Sequence, residues 1–111
     1  TLPNTVLVTS DKLIKEDKEL VQKIVSAHEK GVQFINDNPE EARDIAIKAI
    51  KEITDQELDP AIVDSAWKRV TYTTEVNADV VQDFANSSFE LKFLKEKPEF
   101  SELIDTQFLT K

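Results

Sequence analysis

The stretch NDNPEEARDIAIKAIKEIT, residues 36–54, decides how this chain folds. Asn38 stands before Pro39, two acids follow, and apolar residues then recur at helical spacing. Proline suits a first helical position, because its φ is preset and the N–H it lacks would have no partner there. Glu41 lies three residues after Asn38, as a capping box requires, and both Glu40 and Glu41 favour the positive end of a helix. Ala42, Ile45, Ala46, Ala49, Ile50 and Ile53 form one apolar stripe before Thr54-Asp55-Gln56 ends it. The segment reads as an amphipathic helix with a marked start.

The same logic extends in both directions. Upstream, Asp17 can cap a helix in which Leu20, Val21, Ile24, Val25, His28, Val32 and Ile35 follow helical spacing to Asn36, about five turns. Ser10 can cap a shorter turn through Asp11, Leu13 and Ile14, and Thr5-Val6-Leu7-Val8-Thr9 reads as a β-strand. Downstream, Asp59-Pro60 repeats the cap-then-proline signal for a helix carrying Ile62, Val63, Ala66, Trp67 and Val70. Thr71-Tyr72-Thr73-Thr74 has high β propensity and reads as extended. Asn77 can cap a further helix with Val80, Val81, Phe84, Ala85 and Leu91 inward. Lys95-Glu96-Lys97-Pro98 is a turn, and Phe100, Leu103, Ile104, Phe108 and Leu109 make an apolar C-terminal segment that reads as a helical turn and a docking tail. The fold class is mainly α with one or two short strands, in a single unit over residues 1–111.

Composition narrows the function. Hydrophobic content of 40% with 32% charged residues belongs to a globular chain, and no apolar run nears the roughly 20 residues of a membrane-spanning helix. A net charge of −8, from 14 basic and 22 acidic residues, repels a phosphate backbone, so no nucleic-acid partner is expected. The absence of cysteine removes disulfides, thiolate nucleophiles and thiolate metal sites. One glycine, Gly31, is too few for a phosphate-cradling loop, so no nucleotide cofactor is expected. Thr1 at the start, with no Met anywhere, suggests a piece of a longer protein.

His28, the one histidine, has no nucleophile signature beside it and falls on the stripe of the long helix, where a structural or interface role is favoured. It cannot hold zinc alone, and no metal is expected. Glu40 and Glu41 are explained by capping and the helix dipole. Asp55 to Asp59 lacks the glycine and distal glutamate of a calcium loop, and Asn86-Ser87-Ser88 is a sequon inside a helical pattern. Nothing pairs a nucleophile with a base, so no enzymatic activity is expected. The most suggestive cluster is Arg69, Tyr72, Thr73 and Thr74, where a helix gives way to an extended segment. A guanidinium and hydroxyls there could bind an oxyanion, although an edge segment with an Arg ion pair explains them as well.

The order of these signals resembles one family. TVLVTSDKLIKEDKELVQKIVSAHEKGVQFINDNPEEARDIA looks like the solute-binding proteins of aliphatic sulfonate, taurine and nitrate ABC importers, including the Asn-Pro-Glu-Glu-Ala helix start at Asn38 to Ala42. RVTYTTEVNADVVQDFANSSFELKFLKEKPEFSELIDTQFL is similar to the family's ending, with Val81, Gln82, Phe84 and Ala85 in the helix and Asp105, Phe108 and Leu109 at the close. One departure is Lys92, where many relatives carry Gly. The resemblance covers essentially all 111 residues. It implies a C-terminal fragment of a two-lobed α/β periplasmic-binding-protein fold (type II), whose cleft closes on a small anionic solute and which then docks on a membrane permease. Its location would be extracytoplasmic, in the periplasm or as a cell-surface lipoprotein. The family's relation to thiamine-precursor proteins adds no catalytic residues here. A chain separated from its neighbouring lobes would expose an apolar face, so self-association is expected.

Overall fold

The computed structural model describes residues 2–100 and 102–110. Among these the elements are five helices, in order α1 (Asp11–Glu16), α2 (Lys18–Asp37), α3 (Pro39–Thr54), α4 (Pro60–Trp67) and α5 (Ala78–Glu90). The chain divides into two compact units. One comprises the described residues up to Val25 and from Glu75 onward, and the other is Ser26–Thr74.

Capping side chains set most of the helix starts. The Leu13 N–H donates to Ser10 Oγ at 3.2 Å, and the Leu20 N–H donates to Asp17 Oδ1 at 3.0 Å. Asp59 Oδ1 accepts from Ala61 N–H at 2.8 Å, and Asn77 Oδ1 accepts from Asp79 and Val80 at 3.0 and 3.2 Å. Each bond satisfies an amide that a helix leaves without an internal partner. The α3 start differs from the capping box expected of it. The Asn38 side chain makes no capping bond to α3. Instead its Nδ2 donates back to Phe34 O at 3.2 Å, beside its own N–H at 2.8 Å. Only one residue separates α2 from α3, so the amide is spent on the Phe34 carbonyl of α2 and the start of α3 relies on Pro39 and its two acids.

The strands do not form. Neither Thr5–Thr9 nor Thr71–Thr74 takes part in a ladder among the described residues. β propensity describes a fit to a pleated, partnered surface, and no second strand among the described residues supplies that surface. The 71–74 segment is held by a side chain instead, with Asn36 Nδ2 donating to Tyr72 O at 3.1 Å.

Burial is sparse in both units. Val21 and Ala85 in one unit and Ala42 in the other are the buried apolar residues, at 3%, 4% and 6% exposure, and none of them is large. Phe84 and Leu91, expected inward on α5, are exposed, as are Ile53 on α3 and Val70 just past α4. His28 is likewise exposed on α2, away from the packed positions its spacing suggested. In the first unit the C-terminal segment is tied down by side-chain amides. Gln82 Nε2 donates to Pro98 O at 3.0 Å, Phe100 N–H donates to Gln82 Oε1 at 3.3 Å, and Gln22 Nε2 donates to Phe108 O at 2.8 Å. The segment docks as a tail, as expected, but forms turns and no helix among the described residues, and Ser101 lies outside those residues.

Among the described residues two non-glycine residues have positive φ, and both follow helices. Asp55 (φ 57°) ends α3 with its N–H bonded to Lys51 O at 2.9 Å, and aspartate tolerates that region comparatively well. Lys92 (φ 63°) ends α5 in a Schellman arrangement, with Lys92 N–H to Phe89 O and Phe93 N–H to Ser88 O, both at 2.9 Å. The Cβ of a lysine is strained there, and glycine is not. Lys92→Gly is therefore expected to stabilise the chain by about 1 kcal/mol, whereas Asn77→Ala, at the other end of the same helix, should cost about 1 kcal/mol. Urea midpoints followed by far-ultraviolet circular dichroism check both signs. A lower midpoint for Lys92→Gly would contradict this account of the helix end.

Candidate functional site

The candidate binding residues Arg69, Tyr72, Thr73 and Thr74 fall in the Ser26–Thr74 unit, in the segment after α4. Two lysine and arginine side chains there converge on one carboxylate. Arg43 Nη1 on α3 donates to Asp64 Oδ1 on α4 at 2.8 Å, and Lys68 Nζ donates to Asp64 Oδ2 at 2.6 Å. The Lys68 hydrogen bond, then its charge and the Arg43 contact, hold the Asp64 carboxyl below its ordinary value despite some desolvation. Lys68 and Asp64 are four apart on a helical turn and could be paired from the sequence. Arg43 is 21 positions away, and only the packing of α3 on α4 brings it there.

The packing of α3 on α4 leaves an apolar recess lined by Ala46, Ile50, Leu58, Val63, Trp67 and Tyr72, among others. Tyr72 is part of its lining. Its ring lies 4.9 Å from that of Trp67, centroid to centroid, with the planes tilted by 40°. This is an ordinary geometry for an attractive aromatic pair. Burial of the phenol against these side chains pushes its pKa above 10.0. Trp67 thus has the packing role that its place on the helix suggested, and Tyr72 shares it.

Arg69 lies elsewhere. It sits in the turn after α4, exposed, and borders an open shelf with Ala61, Ile62, Ser65 and Ala66. Ile62 and Ala66 line both hollows, so they form the ridge between the Arg69 side and the Tyr72 side of α4. Thr73 is exposed and Thr74 half-buried. The structure therefore brings Tyr72 to Trp67 and places Arg69 on a different hollow. The Arg69 guanidinium makes no ion pair among the described residues, while its neighbour Lys68 pairs with Asp64. The edge-segment explanation of Arg69, which supposed an ion pair, is not what is seen.

Among the described residues no group of three or more His, Cys, Asp or Glu could hold a metal ion. No helix among them is long and apolar enough to cross a membrane. The residues the sequence reading passed over are Arg43, Asp64 and Asn36. Asn36 gave no signal, because its partner is a backbone carbonyl 36 positions on.

Comparison with known proteins adds one finding. The model of the family described as NMT1/THI5 like matches residues 1–42, well under half of the chain. No curated protein and no solved structure matches. The matched part runs through the Asn38-Pro39-Glu40-Glu41-Ala42 helix start and stops before the Arg69–Thr74 cluster.

The single tyrosine makes the recess directly observable. Its phenol should titrate above 10.0 in the folded chain, and stability should fall as pH rises through that folded value, because ionisation is disfavoured in the recess. At the acid end the sign reverses. The Asp64 contribution is present above its ordinary value of 3.8 and is lost as pH falls through its lowered folded value. Ultraviolet difference absorbance checks the first. For the second, the gap in urea midpoint between the wild type and Asp64→Asn should close on acidification.

Proposed function

We propose that this chain is part of the extracytoplasmic solute-binding component of an ABC importer, which captures a small anion such as an alkanesulfonate, taurine or nitrate by hinged closure. The observation that carries the reading is the family match over residues 1–42, joined to the resemblance of the later residues to the same family's ending. A second line of support is physical. A unit of 49 residues with one buried apolar residue, Ala42, is poorly equipped to stand alone, whereas a segment that packs on other lobes has its apolar side chains covered there.

In this reading the chain acts without catalysis, and its role is mainly to support the lobes and the hinge. The anion would be held largely by residues outside this chain, with Arg69, Tyr72, Thr73 and Thr74 as the contribution of this piece. Because Arg69 and Tyr72 border different hollows, the two would face the solute together only if closure brought the α4 turn and the 71–74 segment around it. The loaded protein would then dock on a membrane permease. It would be periplasmic or anchored as a lipoprotein at the cell surface.

A second reading, a helical protein-interaction module with no small-molecule ligand, gains from one observation. A strand at Thr5–Thr9 would have argued against it, and none forms among the described residues.

Calorimetry separates the two. The 111-residue chain alone, titrated with alkanesulfonates, taurine and nitrate, is expected to bind weakly or not at all. The same chain joined to the lobes encoded beside it should bind one of these anions at micromolar concentration or better, with Arg69→Ala weakening binding about tenfold. Absence of binding by the longer protein to any of the three would favour the interaction module. Micromolar binding by the isolated chain would place the whole site here.

A further inference from the structure

We infer that the outer face of α4 pairs antiparallel with α4 of a second copy of this chain, across a two-fold axis beside Asp64. The inference starts from spacing. Asp59, Ile62, Ala66 and Arg69 are separated by three, four and three residues, so they form one stripe along the helix and its two flanking turns. That spacing is the same read in either direction. When two such stripes lie antiparallel with the axis at position 64, residue 62 of one copy meets 66 of the other, and 59 meets 69.

The residues at these positions complement one another under that operation. Ile62 meets Ala66, a large side chain against a small one, twice over. Arg69 meets Asp59, also twice. The structure leaves each available. Ile62 is 68% exposed, and Ala66, Asp59 and Arg69 are exposed as well. Ile62, Ala66 and Arg69 border one open shelf. Arg69 makes no ion pair among the described residues. Asp59 uses Oδ1 as the acceptor for Ala61 N–H, which leaves Oδ2 for a guanidinium.

Symmetry selects a second copy over an arbitrary partner, because Asp59 and Arg69 each find their complement on the same stripe of another copy. The chain carries −8 overall, so random encounters between copies repel, and a surface that pairs two guanidinium groups with two carboxylates offsets this only in one register. An eight-residue helix with its flanking turns covers much less than the roughly 1,200 Å2 of a stable interface, so the pairing is weak and concentration-dependent. This inference does not rest on the solute-binding reading, and either can fail alone.

Sedimentation equilibrium over a hundredfold range of concentration tests it on the full chain. The wild type is expected to rise from monomer towards dimer mass. Arg69→Asp, which sets carboxylate against carboxylate, should weaken association tenfold or more with its circular dichroism unchanged. Asp59→Arg should do the same by setting two guanidinium groups together, and an equimolar mixture of these two variants should restore dimer mass. Should Asp59→Arg lose its helix with the cap, Asp59→Asn keeps the cap and should still weaken association. A wild type that stays monomeric throughout overturns the proposal. So does a dimer that Arg69→Asp leaves intact, or a mixture of folded variants that stays monomeric.

Discussion

The helices of this chain depend on how their first amides are satisfied, because little else in either unit fixes where they start. Ser10, Asp17, Asp59 and Asn77 each accept hydrogen bonds from the turn they precede. Such bonds are local, and each is worth about 1 kcal/mol. They set register and direction without any long-range partner. In a chain whose buried apolar residues are Val21, Ala42 and Ala85, they carry a larger share of the specification than usual. Where two helices almost touch, at Asn38, one side chain serves the end of the first and the second starts on Pro39.

Long-range order comes from polar side chains as much as from packing. Asp64 joins α4 to α3 through Arg43, Asn36 holds the 71–74 segment by a carbonyl, and Gln22 and Gln82 tie down the C-terminal segment. These bonds are partly exposed, and each contributes only modestly in water. Their value is directional, since an amide or a guanidinium accepts one placement of its partner where an apolar contact accepts many. The Trp67–Tyr72 ring pair forms part of the lining of the recess between α3 and α4.

Both units leave large apolar side chains exposed. Ile45, Ile53 and Ile62 in one unit, and Phe84, Leu91 and Phe93 in the other, are large and exposed. Exposed side chains are ordinary one at a time, and their number here suits a segment that packs on further structure. The family match at the N-terminal end and the self-complementary stripe on α4 are two routes to covering such surface. The proposed solute site and the proposed α4 pairing share Arg69 and differ in their other residues.

The sequence by itself determined the helices. Cap residues, the two Asn/Asp-Pro steps and the apolar spacing are read within a few positions of each other, and the observed starts at Asp11, Lys18, Pro39, Pro60 and Ala78 follow them. The positive φ of Lys92, 63°, was not among its expectations, although Lys92 stands where many members of the resembled family carry Gly. Tertiary structure decided the rest. β propensity at Thr5–Thr9 and Thr71–Thr74 did not become strand, because a strand needs a neighbour that local sequence does not provide. Helical spacing marked Phe84, Leu91 and His28 as inward, but which face of a helix is covered depends on what lies against it. The separation of Arg69 from Tyr72 has the same origin. Three residues apart in the chain, they border opposite sides of the Ile62–Ala66 ridge because the chain turns after α4 and Tyr72 packs on Trp67.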